Sequence, residues 1–334
     1  MRLIAHDETM PADWRRPVVA IGNFDGVHRG HQAVVNLARE TARRLAAPLG
    51  AITFEPHPRS VFNPASPVFR LSPLALKARL LAGLGCDFVA PLDFTRALAA
   101  IEAERFVQDI LVERFAIAHI VAGYDFHFGH GRKGNPGLLA ELGRHRDFAV
   151  SVVEQVTDGN GLAPFSSSSI RAALRHGDVA AAAERLGYWW SVIGTVVEGD
   201  RRGRIIGFPT ANIVLDDGAE PREGIYAVRV RRLGDGAGPG LEGAAYVGRR
   251  PTFDSERRFL EIHLLDFSGD LYGARLLVEF VGFIRPDQQF SSVEALVARM
   301  SDDCAAIRTL LAGLRADDPM RRHLLGRLQA EGRL

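Results

Sequence analysis

Gly22-Asn23-Phe24-Asp25-Gly26-Val27-His28-Arg29-Gly30-His31-Gln32 is the stretch whose reading decides the fold. The residues before it, Val18 to Ile21, form an apolar run after Pro17, as expected of a strand buried on both faces. After it, Ala33, Val34, Leu37, Ala38, Thr41 and Leu45 recur at helical spacing, so the segment joins a strand to a helix. Such a turn gathers backbone N–H groups and the positive end of a helix dipole at one point, which suits a phosphate. Gly22, Gly26 and Gly30 allow tight turning and close backbone approach. His28 and His31, three apart, are expected on one face of the first helical turn. Two imidazoles there can neutralise charge that builds up during phosphoryl or nucleotidyl transfer. An arbitrary His-x-x-His is more often a solvated pair and sometimes a zinc site, but the strand and the glycines reverse that order.

Working outward, strands and helices alternate through about residue 186. Further strands are expected at Leu49 to Phe54, Phe88 to Ala90, His119 to Ala122 and Ala149 to Val153. Ser72 is expected to cap a helix from Pro73 to Leu84, and Glu102 to Phe115 reads as an amphipathic helix. This alternation predicts an α/β doubly wound, Rossmann-like parallel sheet, with ligands at the carboxyl ends of its strands. The strand-end loops there are Phe54-Glu55-Pro56-His57-Pro58-Arg59, Gly123 to Gly129, and Phe165-Ser166-Ser167-Ser168-Ser169-Ile170-Arg171. A serine run is most often a linker, but this one abuts a helical pattern, so the serines can cap it and Arg171 can face an anion.

After a helix from Asp178 to Leu186, closed by Gly187, the texture changes. Tyr188-Trp189-Trp190 reads as a packed cluster, followed by strands at Val192 to Val197, Ile225 to Val230, Leu260 to Leu264 and Leu276 to Val281. Gly-rich turns such as Asp235 to Gly243 separate them, and Ser291-Ser292-Val293-Glu294 has the order of a capping box. This half is expected to be a small antiparallel β-barrel with C-terminal helices. In Gly207-Phe208-Pro209-Thr210-Ala211-Asn212, read as a turn, Thr210 and Asn212 offer hard oxygens of the kind Mg²⁺ accepts beside ATP phosphates. Glu261 alternates with Leu260 and Ile262, so it faces away from them, and out of context it would be an ordinary solvated carboxylate.

His28-Arg29-Gly30-His31 resembles the HxGH signature of the nucleotidylyltransferase superfamily. The longer string resembles the bacterial bifunctional riboflavin kinase/FAD synthetases. Thr53 to Pro58, Gly123 to Gly129 and Ser167 to Arg171 resemble further blocks of the FAD synthetase module. Gly203 to Asn212, Gly224-Ile225-Tyr226, Arg250-Pro251-Thr252-Phe253, Glu261 to Phe267 and Leu271-Tyr272-Gly273 resemble the riboflavin kinase module in its usual order. The resemblance spans about residues 15 to 315. It implies an FMN adenylyltransferase domain over 1–186 and a riboflavin kinase domain over 187–334. It implies that riboflavin is phosphorylated by ATP to FMN, and that FMN is then adenylylated by a second ATP to FAD plus pyrophosphate, with Mg²⁺ as cofactor.

By the same resemblance Glu261 is the catalytic base of the kinase, and His28, His31 and Arg171 act in adenylyl transfer. Gly22, Asn23, Phe24, Asp25, Gly26, Gly30, Asp125, Ser167, Ser168, Gly207, Pro209 and Thr210 would contact ATP or phosphate. Phe54, Pro56, His57, Pro58, Arg250 and Phe253 would contact flavin, and Thr210 and Asn212 would hold Mg²⁺. Ser168 and Ile205 stand where threonine is usual, and Tyr246 where asparagine is often found. The basic tail from about residue 317 lies outside the family pattern. Two alternatives use the same residues: a nucleotidylyltransferase whose barrel only binds flavin, and a catalytically silent flavin or nucleotide sensor.

Composition bounds the rest. A chain of 334 residues with 47% hydrophobic and 24% charged residues can build two cores, and a net charge of +1 provides no basic field for nucleic acid or anionic membrane. Arg201, Arg202 and Arg204 remain local candidates for phosphate contact. Cys86 and Cys304 are too few for a disulfide framework. With no apolar segment at residues 1–16 and no membrane-length run, a cytoplasmic protein acting on small molecules is expected, and a homo-oligomer is compatible with the sequence.

Overall fold

Val18, Val19, Ala20 and Ile21 are sealed from solvent on both faces, because this strand lies inside a parallel sheet rather than at its edge. In the computed structural model, the described residues are 1–5, 8, 10–11, 14–157, 164–199, 203, 206–216, 218–234, 240–249 and 258–334. They form two compact units, one of residues 1–68 and 73–166, the other of residues 69–72 and 167–334.

The first unit has strands β1 (Arg2–Leu3), β2 (Val18–Ile21), β3 (Leu49–Glu55), β4 (Phe88–Asp93), β5 (His119–Gly123) and β6 (Ala149–Val153). All pair in parallel, in the order β1-β4-β3-β2-β5-β6. The chain thus winds outward from β2 in both directions, as the alternating pattern predicts. The two-residue β1 is too short to leave a periodicity, and β4 runs three residues past the expected end. Helices are α1 (Arg29–Leu45), α2 (Pro58–Phe62), α3 (Leu74–Gly83), α4 (Arg96–Ala99), α5 (Ala103–Phe106) and α6 (Pro136–His145). Pro73, not Ser72, occupies the cap of α3, which therefore starts one residue later than expected. The amphipathic segment 102–115 is only briefly α-helical. From Val107 to Arg114 it widens into a π-helix, closed by i→i−5 bonding of Phe115 N–H to the Ile110 carbonyl.

The second unit begins with α7 (Ser167–His176) and α8 (Val179–Leu186), the latter capped by Asp178 and stopped by Gly187 at φ 74°. Strands β7 (Ser191–Thr195), β8 (Ala211–Val214), β9 (Gly224–Leu233), β10 (Leu241–Arg249), β11 (Arg258–Leu264) and β12 (Arg275–Pro286) follow. All pairs are antiparallel, in the order β7-β12-β9-β10-β11-β8. A bridge from Val197, just past β7, to Asn212 on β8 brings the two edges together, so the sheet is nearly a closed barrel. β8 and β10 were not anticipated. Asn212 consequently sits on a strand, not in the turn read from the hexapeptide, and residues 241–243 belong to β10.

Helix α9 (Val293–Ala316) is capped by Ser292, whose side chain accepts from Ala295 N–H. The capping-box pairing of Ser291 with Glu294 is thus not formed as expected. Beyond it the basic tail packs into the barrel unit through a short 3₁₀ turn, Pro319–Arg322, and α10 (Leu324–Ala330). Asp318 accepts from the Trp189 indole at 3.0 Å and from Arg229 at 2.8 Å, while Arg229 also donates to buried Glu279 at 2.8 Å. The Gln329 side chain pairs with both the N–H and the carbonyl of Trp189, each at 2.8 Å.

Removing Asp318 would strand the Trp189 indole N–H and take from Arg229 one of its two carboxylate partners, leaving only Glu279. Breaking a buried pair of this kind costs about 3–5 kcal/mol. Asp318→Ala should therefore lower the unfolding free energy of the barrel unit by about that amount in urea titration, with Asp318→Asn recovering part of it.

Candidate active sites

Gly22 N–H continues the sheet by donating to the Ile52 carbonyl at 3.1 Å, after which the chain must turn sharply to start α1. Of the motif glycines only Gly26 takes a left-handed conformation, at φ 83°. Phe24 and Val27 share the task at φ 48° and 40°, with both side chains fully buried. Gly30 serves another end, since a Cβ there would stand 3.2 Å from the His28 ring.

His28 is the N-cap of α1, and its Nδ1 accepts from His31 N–H at 3.3 Å. An accepting Nδ1 carries no proton, so neutral His28 presents its N–H at Nε2. The two rings stack with centroids 3.6 Å apart, and Phe24 meets His31 edge-on at 5.4 Å. Among the described residues, His31 Nδ1 is buried without a hydrogen-bond partner. Burial first, then the neighbouring His28 and Lys77, hold the His31 pKa well below the usual 6.5, so this imidazole is neutral at neutral pH.

Loops after β3 and β5 leave the same carboxyl edge of the sheet as this turn, on either side of β2. In the first, His57 caps α2 by accepting from Arg59 N–H, and Pro58 follows at the first helical position. Phe54 is the anchor of that loop, its ring packed against Phe94 and Phe106 in the core. In the second, Asp125 is exposed and Phe128 is fixed in the core. Gly129, at φ 70°, passes so close to Ala103 that a Cβ would lie 2.7 Å from its backbone. Arg171 is placed differently from the other expected groups. It belongs to the second unit, where Ser167 opens α7, Ser168 is exposed and the buried Arg171 donates through Nε to the Phe69 carbonyl at 2.6 Å.

In the barrel, strand register sets the second constellation. Asn212 on β8 lies opposite Glu261 on β11, which lies opposite Tyr246 on β10, so the three share one face. Leu260 and Ile262 are fully buried on the other face, as alternation predicts. Thr210 immediately precedes β8, after a turn with Gly207 at φ 87°. Several residues that shape this site were not singled out from sequence. His263 donates from Nδ1 to the Pro209 carbonyl at 3.0 Å and packs edge-on against Phe208. A Cβ on Gly199 would stand 2.4 Å from the Asn212 amide, and one on Gly203 2.3 Å from the Phe208 carbonyl. Tyr246 donates to Asp287 at 3.1 Å, and burial, reinforced by Asp287 and then by Glu223 and Glu261, pushes its pKa up to about 12. A neutral phenol therefore stands beside Glu261. Arg250 and Phe253 of the expected flavin contacts, Ile205, and the basic residues 201, 202 and 204 lie outside the described residues.

Among the described residues no cluster of three or more His, Cys, Asp or Glu could hold a metal ion. Thr210 and Asn212 offer two neutral oxygens, a donor set that fits Mg²⁺ only when phosphate oxygens and water complete the shell.

The depressed His31 pKa has a stability consequence. Unfolded His31 takes up a proton near pH 6.5, whereas folded His31 resists until lower pH, so its contribution is present above 6.5 and lost as pH falls below it. The resistance of the sheet unit to urea should fall between pH 7.5 and 5.5, and by less in His31→Asn than in the parent chain.

Comparison with known proteins finds a family for each half of the chain. The FAD synthetase family matches residues 10–168 and the riboflavin kinase family residues 186–311. The bifunctional riboflavin kinase/FMN adenylyltransferase of Escherichia coli K12 is 39% identical over 286 residues, covering 86% of this chain and 90% of that protein. The enzyme of the same description from Pseudomonas fluorescens is 39% identical over 313 residues, covering 93% and 98%. A Streptococcus pneumoniae crystal structure described as a macrolide-efflux protein shares the fold at TM-score 0.78 and 31% identity, covering 92% of this chain and 98% of that one. No helix among the described residues is long and apolar enough to cross a membrane. With two ordered domain matches and near-full-length relatives, the chain belongs to the family of bifunctional riboflavin kinase/FMN adenylyltransferases.

Proposed function

We propose that the two activities of this family are divided between two constellations in this chain: riboflavin is phosphorylated around Glu261, Thr210 and Asn212, and FMN is adenylylated around His28 and His31. What supports this reading is that the two groups of side chains lie in separate compact units, His28 and His31 at a helix cap in one and Asn212 and Glu261 on a barrel face in the other. On functional grounds we divide the chain at 186/187, and we assign it to the cytoplasm, where riboflavin and ATP are small soluble substrates.

In the barrel, the terminal ribityl hydroxyl attacks the γ-phosphate of ATP, and Glu261 receives its proton as the alcohol bonds to phosphorus. Thr210 and Asn212 hold Mg²⁺ together with the ATP phosphates, while Gly207 and Pro209 shape the turn against them. When bound, the metal offsets charge on the phosphates and orients them. Arg250 and Phe253 are assigned to the flavin by sequence resemblance. Tyr246 stays protonated and so adds no negative charge beside the attacking oxygen.

In the sheet unit, the FMN phosphate attacks the α-phosphate of a second ATP, and pyrophosphate leaves. That nucleophile is already ionised, so no strong base is required. The task is to hold like charges together. His28 and His31 donate N–H groups to phosphate oxygens, and the backbone of Gly22, Asn23, Phe24, Asp25, Gly26 and Gly30 lines the turn with the α1 dipole behind it. An arriving phosphate favours protonation of His31, which converts a neutral donor into a cation at the moment charge appears. Asp125, with its neighbouring backbone, is assigned to the phosphates, and Pro56, His57 and Pro58, braced by Phe54, to the flavin. Arg171, Ser167 and Ser168 are assigned to ATP phosphates by sequence resemblance.

Two variants test the division. His31→Ala should lower FAD formation from FMN by at least about 10²-fold and leave FMN formation from riboflavin unchanged. Glu261→Gln should do the reverse, lowering kinase turnover about 10²- to 10⁴-fold. Loss of both activities in either folded variant would overturn the assignment.

A further inference from the structure

A buried ammonium lies beneath the phosphate turn. Lys77, on α3, is 3% exposed, although lysine is almost never fully buried unless paired. Its Nζ lies 2.5 Å from Glu55 Oε1 at the end of β3, which accounts for the charge. It does not account for the second contact, 3.3 Å to Thr53 Oγ1, a hydroxyl that is itself sealed from solvent and 3.0 Å from the Asn23 carbonyl.

The polarity of this relay has one solution. An ammonium only donates and a carbonyl only accepts, so Thr53 must accept from Lys77 and spend its single hydrogen on Asn23. The Asn23 carbonyl is thereby turned inward, one residue before Phe24 enters left-handed backbone. Lys77 also bears on the His31 imidazole. The groups acting on that ring are His28 from its own turn, the neutral edge of Phe24, and Lys77 from α3, with Glu55 offsetting part of the lysine charge.

We propose that Lys77 is a positioning residue for adenylyl transfer: through Thr53 it fixes the Asn23 peptide of the phosphate turn, beside the imidazole pair. This rests on the assignment of FMN adenylylation to His28 and His31. Lys77 acts through Thr53 and through the field at His31.

The test uses the full chain with FMN, ATP and Mg²⁺, following FAD from pH 5.5 to 8.5, with FMN formation from riboflavin measured on the same preparations. Lys77→Met should lower kcat/KM for FAD formation about tenfold or more, the scale of one buried hydrogen bond. It should also move the alkaline limb of the profile upward, because removing a positive charge raises the His31 pKa and keeps the protonated donor to higher pH. Lys77→Arg should return the limb to its original position. Thr53→Val, which keeps the charge, should lower kcat/KM without moving the limb, and the loss in the Lys77→Met/Thr53→Val double variant should fall short of the product of the single losses. Kinase activity should be unchanged throughout.

Unaltered FAD formation in Thr53→Val, or a Lys77→Met protein whose alkaline limb does not move, would overturn the proposal. So would equal loss of both activities, which would mark Lys77 as a folding residue only. A parent chain that forms FMN from riboflavin but no FAD from FMN would instead remove the adenylylation assignment, and the proposal with it.

Discussion

The chain must leave a fully buried strand and start a helix within seven residues, and the left-handed backbone at Phe24, Gly26 and Val27 is how it does so. For non-glycine residues such a conformation costs about 1–2 kcal/mol each. Complete burial of the Phe24 and Val27 side chains returns about 1.5–3 kcal/mol apiece, so packing outweighs the strain. Everything at the sheet site follows from that turn. It places His28 in the cap of α1, the cap bond draws the His31 backbone onto the His28 ring, and the stacking keeps both imidazoles at the positive end of the helix.

The barrel solves a related problem by register rather than strain. Directly opposed residues on antiparallel strands share a face, so one alignment of β8, β11 and β10 brings Asn212, Glu261 and Tyr246 into a row. A one-residue slip of β11 would send Glu261 to the face occupied by Leu260 and Ile262, and burying those two residues is what forbids it. The tail contributes to the same unit from the outside, through Asp318 and Gln329 on Trp189. The row of Asn212, Glu261 and Tyr246 is thus held in place by the burial of the opposite face.

Much of this was legible in the sequence because it depends on short-range pattern. The strand before Gly22, the helix after Gln32 and the alternation about Glu261 each follow from periodicity alone, and ordered motif blocks gave the family. What was not legible depends on partners distant in sequence. β8 is only four residues long and acquires its strand character from β11, so Asn212 read as part of a turn. β1 is a strand only because β4 accepts it. The tail shows a basic composition, yet its role is set by Asp318 and Gln329, single polar residues whose partners lie 129 and 140 positions away. Arg171 reads as an anion-facing group beside a serine run, and its Nε bond to the Phe69 carbonyl, 102 positions away, is a partner that local pattern does not show. The work of the glycines was only partly visible: Gly26 takes the positive φ, while Gly30 and Gly199 make room for His28 and Asn212.

Two phosphate transfers by one chain make different demands on ATP: the kinase takes the γ-phosphoryl group, the adenylyltransferase the α-phosphate with its nucleoside. The most direct measurement is therefore the fate of label when the purified chain is given riboflavin, Mg²⁺ and ATP labelled with ³²P at either the γ or the α position. The account predicts γ-label first in FMN and then in FAD, and α-label in FAD alone. Absence of γ-label from FMN, or appearance of α-label in FMN, would contradict it.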